Sequence, residues 1–220
     1  MATPALRTVL FDLDGTLADT APDLAYALNL LLEEQGKPAL TLDDVRPAAS
    51  HGSIAILKAG FGMTPDDAGF EDLRQRYLQL YAANINTHTT VFPGMAPVLD
   101  AIEQRGMNWG VVTNKPAFLT EPLLQALDLT RRCACIVSGD TLPERKPHPA
   151  PLLYACRQAG SAAAQCLYIG DAERDILAGR NAGMKTLIAM FGYLAATDEP
   201  EKWPADGMVH HPAEILDWLA

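Results

Sequence analysis

Two carboxylates two residues apart, Asp12 and Asp14, directly follow the apolar run Thr8-Val9-Leu10-Phe11 and directly precede Gly15-Thr16. The run has strand character, and open α/β folds bind their ligands at the carboxyl ends of such strands. Alternation would face both acids the same way if the strand continued, while Gly15 lets the chain turn sharply and expose backbone groups. Two acids, a turn and the Thr16 hydroxyl thus share one small volume. A hard cation such as Mg²⁺ would offset the repulsion between the acids and leave one carboxylate oxygen free to attack an electrophile. Taken alone, Asp-Gly-Thr is also an ordinary polar turn, so the reading depends on matching groups at later strand ends.

Three such places follow, in a workable order. Val111-Val112 runs into Thr113-Asn114-Lys115, a hydroxyl and an amide suited to phosphate oxygens. Glu144-Arg145-Lys146-Pro147-His148-Pro149 is a loop stiffened by prolines that carries the cation Lys146. Ile169-Gly170-Asp171 ends another apolar run, with Asp175 four residues on, where a helix N-terminus favours acids for its own reasons. Each place has an everyday structural explanation. Their joint occurrence in this order is what points to a site.

The elements that must position these groups are legible from periodicity. Thr20-Ala21-Pro22-Asp23 predicts a capped helix start, with Leu24, Leu28 and Leu31 at helical spacing and Gly36 as its stop. Further helices are predicted over 42–45, 53–59 and 71–84, so residues 18–88 form an all-helical insert. After Phe92-Pro93-Gly94 the pattern alternates. Strands are predicted at 108–113, 135–138, 166–169, 186–190 and near 208–209. Helices are predicted over 98–104, 119–127, 150–159 and 176–182 and from Ala213. Together with the opening strand at 8–11 this is an α/β fold, a Rossmann-like parallel sheet with helices on both faces. Residues 1–17 and 89–220 form its core, and 18–88 the inserted helical domain.

The chain has 220 residues, enough for a substantial core, and 49% hydrophobic with 20% charged residues is ordinary globular composition. A formal net charge of −10 with no long Lys/Arg cluster argues against nucleic acid or an anionic membrane surface as partner. Local basic groups still suit a small anionic phosphorylated substrate. Met1 to Arg7 does not read as a secretory signal, and Met184 to Ala196 is too short to span a bilayer, so a cytoplasmic enzyme is expected. The four cysteines form no CxxC pair and lack histidines at zinc-ligand spacing, so sulfur ligation of a metal is not expected. Oligomeric state has no sequence signal.

Asp12-Leu13-Asp14-Gly15-Thr16, Thr113, Lys146 and Gly170-Asp171 with Asp175 together resemble the four motifs of the haloacid dehalogenase superfamily, over essentially the whole chain. The resemblance implies that Asp12 is the nucleophile forming an aspartyl-phosphate, and that Asp14 protonates the leaving alcohol and then activates water. Asp12, Asp171 and the Asp14 backbone carbonyl would hold Mg²⁺. Thr113 and Lys146 would bind phosphoryl oxygens, and Asp175 would support the metal and Lys146. It also implies that the helical insert is a cap over the site. An acid at Asp14 favours phosphate esters over carbon–halogen or carbon–phosphorus chemistry. Leu24, where mutases with this cap type commonly carry histidine, favours hydrolysis over mutase action. A phospho-accepting receiver module is the non-enzymatic alternative, but receivers place their acid later and have no helical insert.

Thr20-Ala21-Pro22-Asp23-Leu24 and Val111 to Pro116 are similar to the phosphoglycolate phosphatase group. Trp109-Gly110 through Pro116 also resembles phosphatases acting on N-acetylmuramic acid 6-phosphate. The loop Arg46 to Ser53 departs from the first group's glycine-rich pattern. In that loop Arg46, His51 and Ser53, with Asn114 from the core, are the expected contacts to substrate, Arg46 pairing with a substrate carboxylate.

Overall fold

Strand β1 (Thr8–Phe11) is buried along its whole length because parallel neighbours flank it on both sides, β4 (Asn108–Val112) and β6 (Cys166–Gly170). The computed structural model describes residues 5–219. Beyond β4 lies β5 (Ile136–Val137), and beyond β6 lie β7 (Lys185–Ala189) and β8 (Gly207–Val209). The six strands form one parallel sheet in the order β5-β4-β1-β6-β7-β8. The chain runs outward from β1 through β4 to β5, then crosses back to β6 on the other side. That reversal opens a crevice at the carboxyl ends of β4, β1 and β6, where such sheets bind ligands.

Period-two alternation sorts the strand residues between two cores. Val9, Phe11, Trp109, Val111, Leu167 and Ile169 face helices α5 (Met95–Gln104) and α6 (Ala117–Ala126). Leu10, Val112, Cys166 and Tyr168 face α7 (Ala150–Gln158) and α8 (Glu173–Ala182). Both faces are therefore covered, as a parallel sheet requires. The C-terminal helix expected from Ala213 is instead 3₁₀, over Pro212–Trp218, where a proline start and a short span suit the tighter coil. Among the described residues no helix is long and apolar enough to cross a membrane.

Past β1 the chain folds into a tight turn, with Leu17 N donating to the Asp12 and Leu13 carbonyls at 3.2 and 3.1 Å. Gly15 takes φ +85°, and a Cβ there would lie 2.1 Å from Asp171 Oδ2. Here glycine is required twice, for left-handed backbone and for close approach. Next come β2 (Ala18–Asp19) and, on the chain's return, β3 (Thr90–Val91), paired antiparallel as a neck. Two-residue strands fall below the length at which periodicity can be read, so this neck had no sequence signal.

Between the neck strands lie α1 (Ala21–Glu34), α2 (Leu42–Ala49), α3 (Gly52–Phe61) and α4 (Phe70–Ala83). Helix α2 is four residues longer than expected, held at its start by a reciprocal Thr41–Asp44 capping box. Arg46 is thereby helical, and only Ser50 and His51 separate α2 from α3. Thr20, expected to cap α1, makes no cap bond, because its hydroxyl is spent on Asp14.

Fully buried Asp23 anchors α1 to the returning chain: its carboxylate accepts from His88 N, Thr89 N and Thr89 Oγ1 at 2.7 to 3.0 Å. Asp23→Ala would strand those donors in the interior, and we expect a loss of about 3 kcal/mol in urea denaturation. Unchanged stability would show that the anchor contributes nothing.

Candidate active site

The crevice is organised around one ammonium. Lys146 Nζ lies 2.8 Å from Asp12 Oδ1, 2.6 Å from Asp175 Oδ1, 2.9 Å from the Val112 carbonyl and 2.8 Å from the Tyr168 hydroxyl. Lys146 is delivered by a loop whose backbone is pinned to β4, since its N–H donates to Asn114 Oδ1 at 3.1 Å and its carbonyl accepts from Asn114 Nδ2 at 3.0 Å. Asn114, expected to contact substrate, thus spends both ends of its amide on positioning Lys146. Tyr168 stays a neutral donor to Val112 O because burial holds its phenol well above the ordinary range. Its place beside Asp12 follows from alternation, which puts Tyr168 and Leu10 on one face.

Asp12, Asp171 and Asp175 are buried, and one carboxylate oxygen from each can be chosen so that all lie within 4.8 Å of one another. Asp12 ends β1, with its N–H still in the ladder to Ile169 O, and Asp171 ends β6. Asp175 sits in the first turn of α8, its second oxygen accepting from Ala172 N at 3.1 Å. Three acids face one ammonium in a buried volume. Burial pushes Asp12 up, against the pull of Lys146. Burial, then the charges of Asp12 and Asp175, push Asp171 up to about 7. That excess of negative charge, presented by hard oxygen donors, fits a divalent cation of the Mg²⁺ type.

Asp14 is turned away from this cluster. Its Oδ1 accepts from Thr20 Oγ1 at 2.6 Å and from Lys115 Nζ at 2.8 Å, and Lys115 also donates to Tyr81 OH of α4 at 2.8 Å. The two acids of the opening motif therefore serve different places, because the strand stops at Phe11 and the turn swings Asp14 aside. Among the described residues Asp14 Oδ2 has no hydrogen-bond partner. Thr113 continues the β4 pairing to Val137 O, and its Oγ1 accepts from Lys115 N at 3.1 Å, leaving its proton for a ligand.

Above these groups lies a cavity of about 630 Å³ between sheet edge and helical insert. Asp12, Asp14, Thr113 and Asn114 line it from the core, as do His51 and Ser53 from the insert. Partial loss of water, aided by the charge of Arg174, lowers the His51 pKa. Ser53 Oγ accepts from Arg74 Nε at 3.1 Å. Arg46 is a correction: it does not reach the cavity. Its guanidinium grips Asp19 bidentately at 2.9 and 3.1 Å and lies over the Tyr193 ring, because α2 carries it toward the neck.

Several participants had no assigned role in the sequence reading. Lys115 and Arg174 line the cavity, and Ser50 Oγ donates to Asp171 Oδ2 at 2.6 Å. Tyr193 N donates to that same oxygen at 2.9 Å, while its hydroxyl donates to Asp19 at 2.7 Å. Lys115 directly follows Thr113-Asn114 and Arg174 directly precedes Asp175, so both cations adjoin motif residues in sequence. Ser50 lies within the singled-out loop Arg46 to Ser53, whereas Tyr193 had no comparable signal.

The model of the haloacid dehalogenase-like hydrolase family matches residues 9–189. The chain is 47% identical to a phosphoglycolate phosphatase of Xanthomonas campestris pv. campestris, over 96% of this chain and 95% of the relative. It is 42% identical to an N-acetylmuramic acid 6-phosphate phosphatase of Pseudomonas putida, over 96% and 94%. Among solved structures it is similar to one described as a predicted phosphoglycolate phosphatase from Haemophilus somnus, with TM-score 0.86, 26% identity and full coverage of both chains.

The raised Asp171 gives a stability signature. A carboxyl whose folded pKa lies above its unfolded value favours the fold when protonated, so that contribution is complete below about pH 4 and is lost as pH rises through about 7. Asp12 shifts in the same direction. Metal-free protein should therefore gain thermal stability as pH falls from 8 to 6, and saturating Mg²⁺ should flatten or invert that trend. A calorimetric Tm that falls over this range without metal would contradict the burial argument.

Proposed function

The chain belongs to the haloacid dehalogenase-like hydrolases and is a phosphatase, and on that footing we propose that it hydrolyses 2-phosphoglycolate through a phosphoryl group carried on Asp12. The observation that carries the reading is the setting of Asp12: a buried carboxylate at the cavity floor, with Oδ1 held by Lys146 and, among the described residues, no hydrogen-bond partner on Oδ2.

In the first step an oxygen of Asp12 bonds to phosphorus, the ester P–O bond breaks, and the leaving alkoxide takes a proton from Asp14. In the second, Asp14 takes a proton from water, the resulting hydroxide bonds to phosphorus, and the bond to Asp12 breaks to release inorganic phosphate. Lys115 and Thr20 fix Asp14 through Oδ1, so its other oxygen serves as the proton carrier. The Thr113 hydroxyl supplies a donor to the phosphoryl group, and Lys146 limits repulsion between Asp12 and the dianion. Asp12, Asp171 and the Asp14 backbone carbonyl would hold Mg²⁺, with Asp175 in support, and a bound Mg²⁺ supplies positive charge for the phosphoryl oxygens. Residues 18–88 act as the cap that excludes water, with His51 and Ser53 facing the part of the substrate beyond its phosphate.

One observation favours a second substrate, N-acetylmuramic acid 6-phosphate. About 630 Å³ lies within the range of pockets for ligands much larger than a two-carbon acid. Ile54 and Phe118, both exposed, add apolar surface to its lining. Comparing kcat/KM for the two compounds on one preparation decides between them.

Asp12→Asn should retain the wild-type fold by circular dichroism and lower turnover below about one thousandth, because the amide is isosteric but a poor nucleophile. Chelation should abolish wild-type activity and Mg²⁺ restore it. Near-normal turnover by Asp12→Asn, or by metal-free enzyme, would sink the aspartyl-phosphate reading.

A further inference from the structure

Lys146 is saturated. An ammonium has three N–H bonds, and Nζ has four acceptors within 2.9 Å: two carboxylates, a carbonyl and a phenol. The cation expected to meet the phosphoryl oxygens therefore has no spare donor. Lys115 is committed on the other side of the cavity, to Asp14 and Tyr81. Arg74 is held within the insert by Ser53 and Glu71.

Arg174 is in a different position. It lies on the first turn of α8, one residue before Asp175 and three after Asp171, and lines the same cavity as Asp12 and Thr113. It lines that cavity together with His51 and reaches the Ser50 carbonyl at the end of α2, which places it between the cavity floor and the insert. No acid lies within salt-bridge distance of it among the described residues. One nitrogen, Nη2, donates to the Ser50 carbonyl at 2.7 Å. Among the described residues Nε and Nη1 have no hydrogen-bond partner, and no fully buried side-chain nitrogen lacks one, so these donors are accessible to solvent. A planar guanidinium with free N–H groups beside a nucleophile is suited to the oxygens of a phosphoryl group, each of which accepts a charge-assisted hydrogen bond.

Resting on the phosphatase reading, we propose that Arg174 is a phosphoryl-binding residue: the N–H groups that Ser50 does not engage take phosphoryl oxygens while one Nη2 N–H holds the insert closed through Ser50. It adds the hydrogen-bond donors that Lys146, occupied by Asp12, Asp175, Val112 and Tyr168, has none of to spare. The role differs from recognition of a substrate carboxylate, which would leave a plain aryl phosphate untouched.

The test uses the full-length protein and two variants, Arg174→Met and Arg174→Lys. The expected result for Arg174→Met is a fall of about 100-fold in kcat/KM on both p-nitrophenyl phosphate and 2-phosphoglycolate. Inorganic phosphate, titrated by calorimetry, should bind at least about tenfold more weakly, and Arg174→Lys should fall between, since it keeps the charge and loses the fork. If Arg174→Met does not fold, the intermediate Arg174→Lys values carry the test alone. Loss confined to 2-phosphoglycolate with unchanged phosphate binding would overturn the proposal in favour of a carboxylate contact or a purely mechanical latch. Wild-type phosphate affinity in both variants would overturn it outright. A wild-type enzyme inert toward every phosphate ester would instead defeat the functional reading, while the calorimetric comparison would still report on Arg174.

Discussion

The burial of Lys146 between Asp12 and Asp175 is the interaction on which the sheet edge depends. The lysine side chain is 1% exposed and the two acids 4% and 0%. Isolated charges in such a place cost several kcal/mol each, and only close pairing with full hydrogen bonding offsets that cost. Every partner is accordingly used: the Tyr168 hydroxyl and Val112 carbonyl complete the lysine, and Ala172 N completes Asp175. Three elements far apart in sequence must dock before any of these charges is tolerable. Forming the fold and assembling the site are thus the same event.

The pairing leaves one acid of the cluster without a cation. Asp171 has no cation bonded to it; its partners are the Ser50 hydroxyl, the Tyr193 amide and, at 3.5 Å, the Thr16 hydroxyl. A carboxylate left in that state is driven toward protonation, and a divalent cation relieves it. Preorganised acids and donors that are uncomfortable without their ligand need no rearrangement once it arrives, which is how electrostatic catalysis gains its advantage.

The same oxygen links the site to the insert. Asp171 Oδ2 meets Ser50 directly, and through Tyr193 it meets Asp19, which Arg46 grips from α2. The position of α2 is therefore sensed by an acid of the cluster through two short routes, one on each side of the helix end. Arg46 bonds to the neck and does not line the cavity. An open-to-closed motion of the helical insert would make and break these contacts together.

How much of this was legible depends on the range over which each feature is decided. The sequence alone determined the strand ends bearing Asp12, Thr113 and Asp171, the alternation of strands and helices, and the all-helical stretch after the first motif. These rest on local periodicity and turn chemistry, which a few neighbouring residues settle. The tertiary structure alone decided that Asp14 leaves the acid cluster for Lys115, that Asn114 holds Lys146, and that Thr20 bonds Asp14 rather than capping α1. It likewise decided that Arg46 turns to Asp19, 27 residues away, and that Ser50 reaches Asp171, 121 residues away. Which donor satisfies which buried acceptor is a competition among all groups that packing brings within about 3 Å, and no local pattern records its outcome.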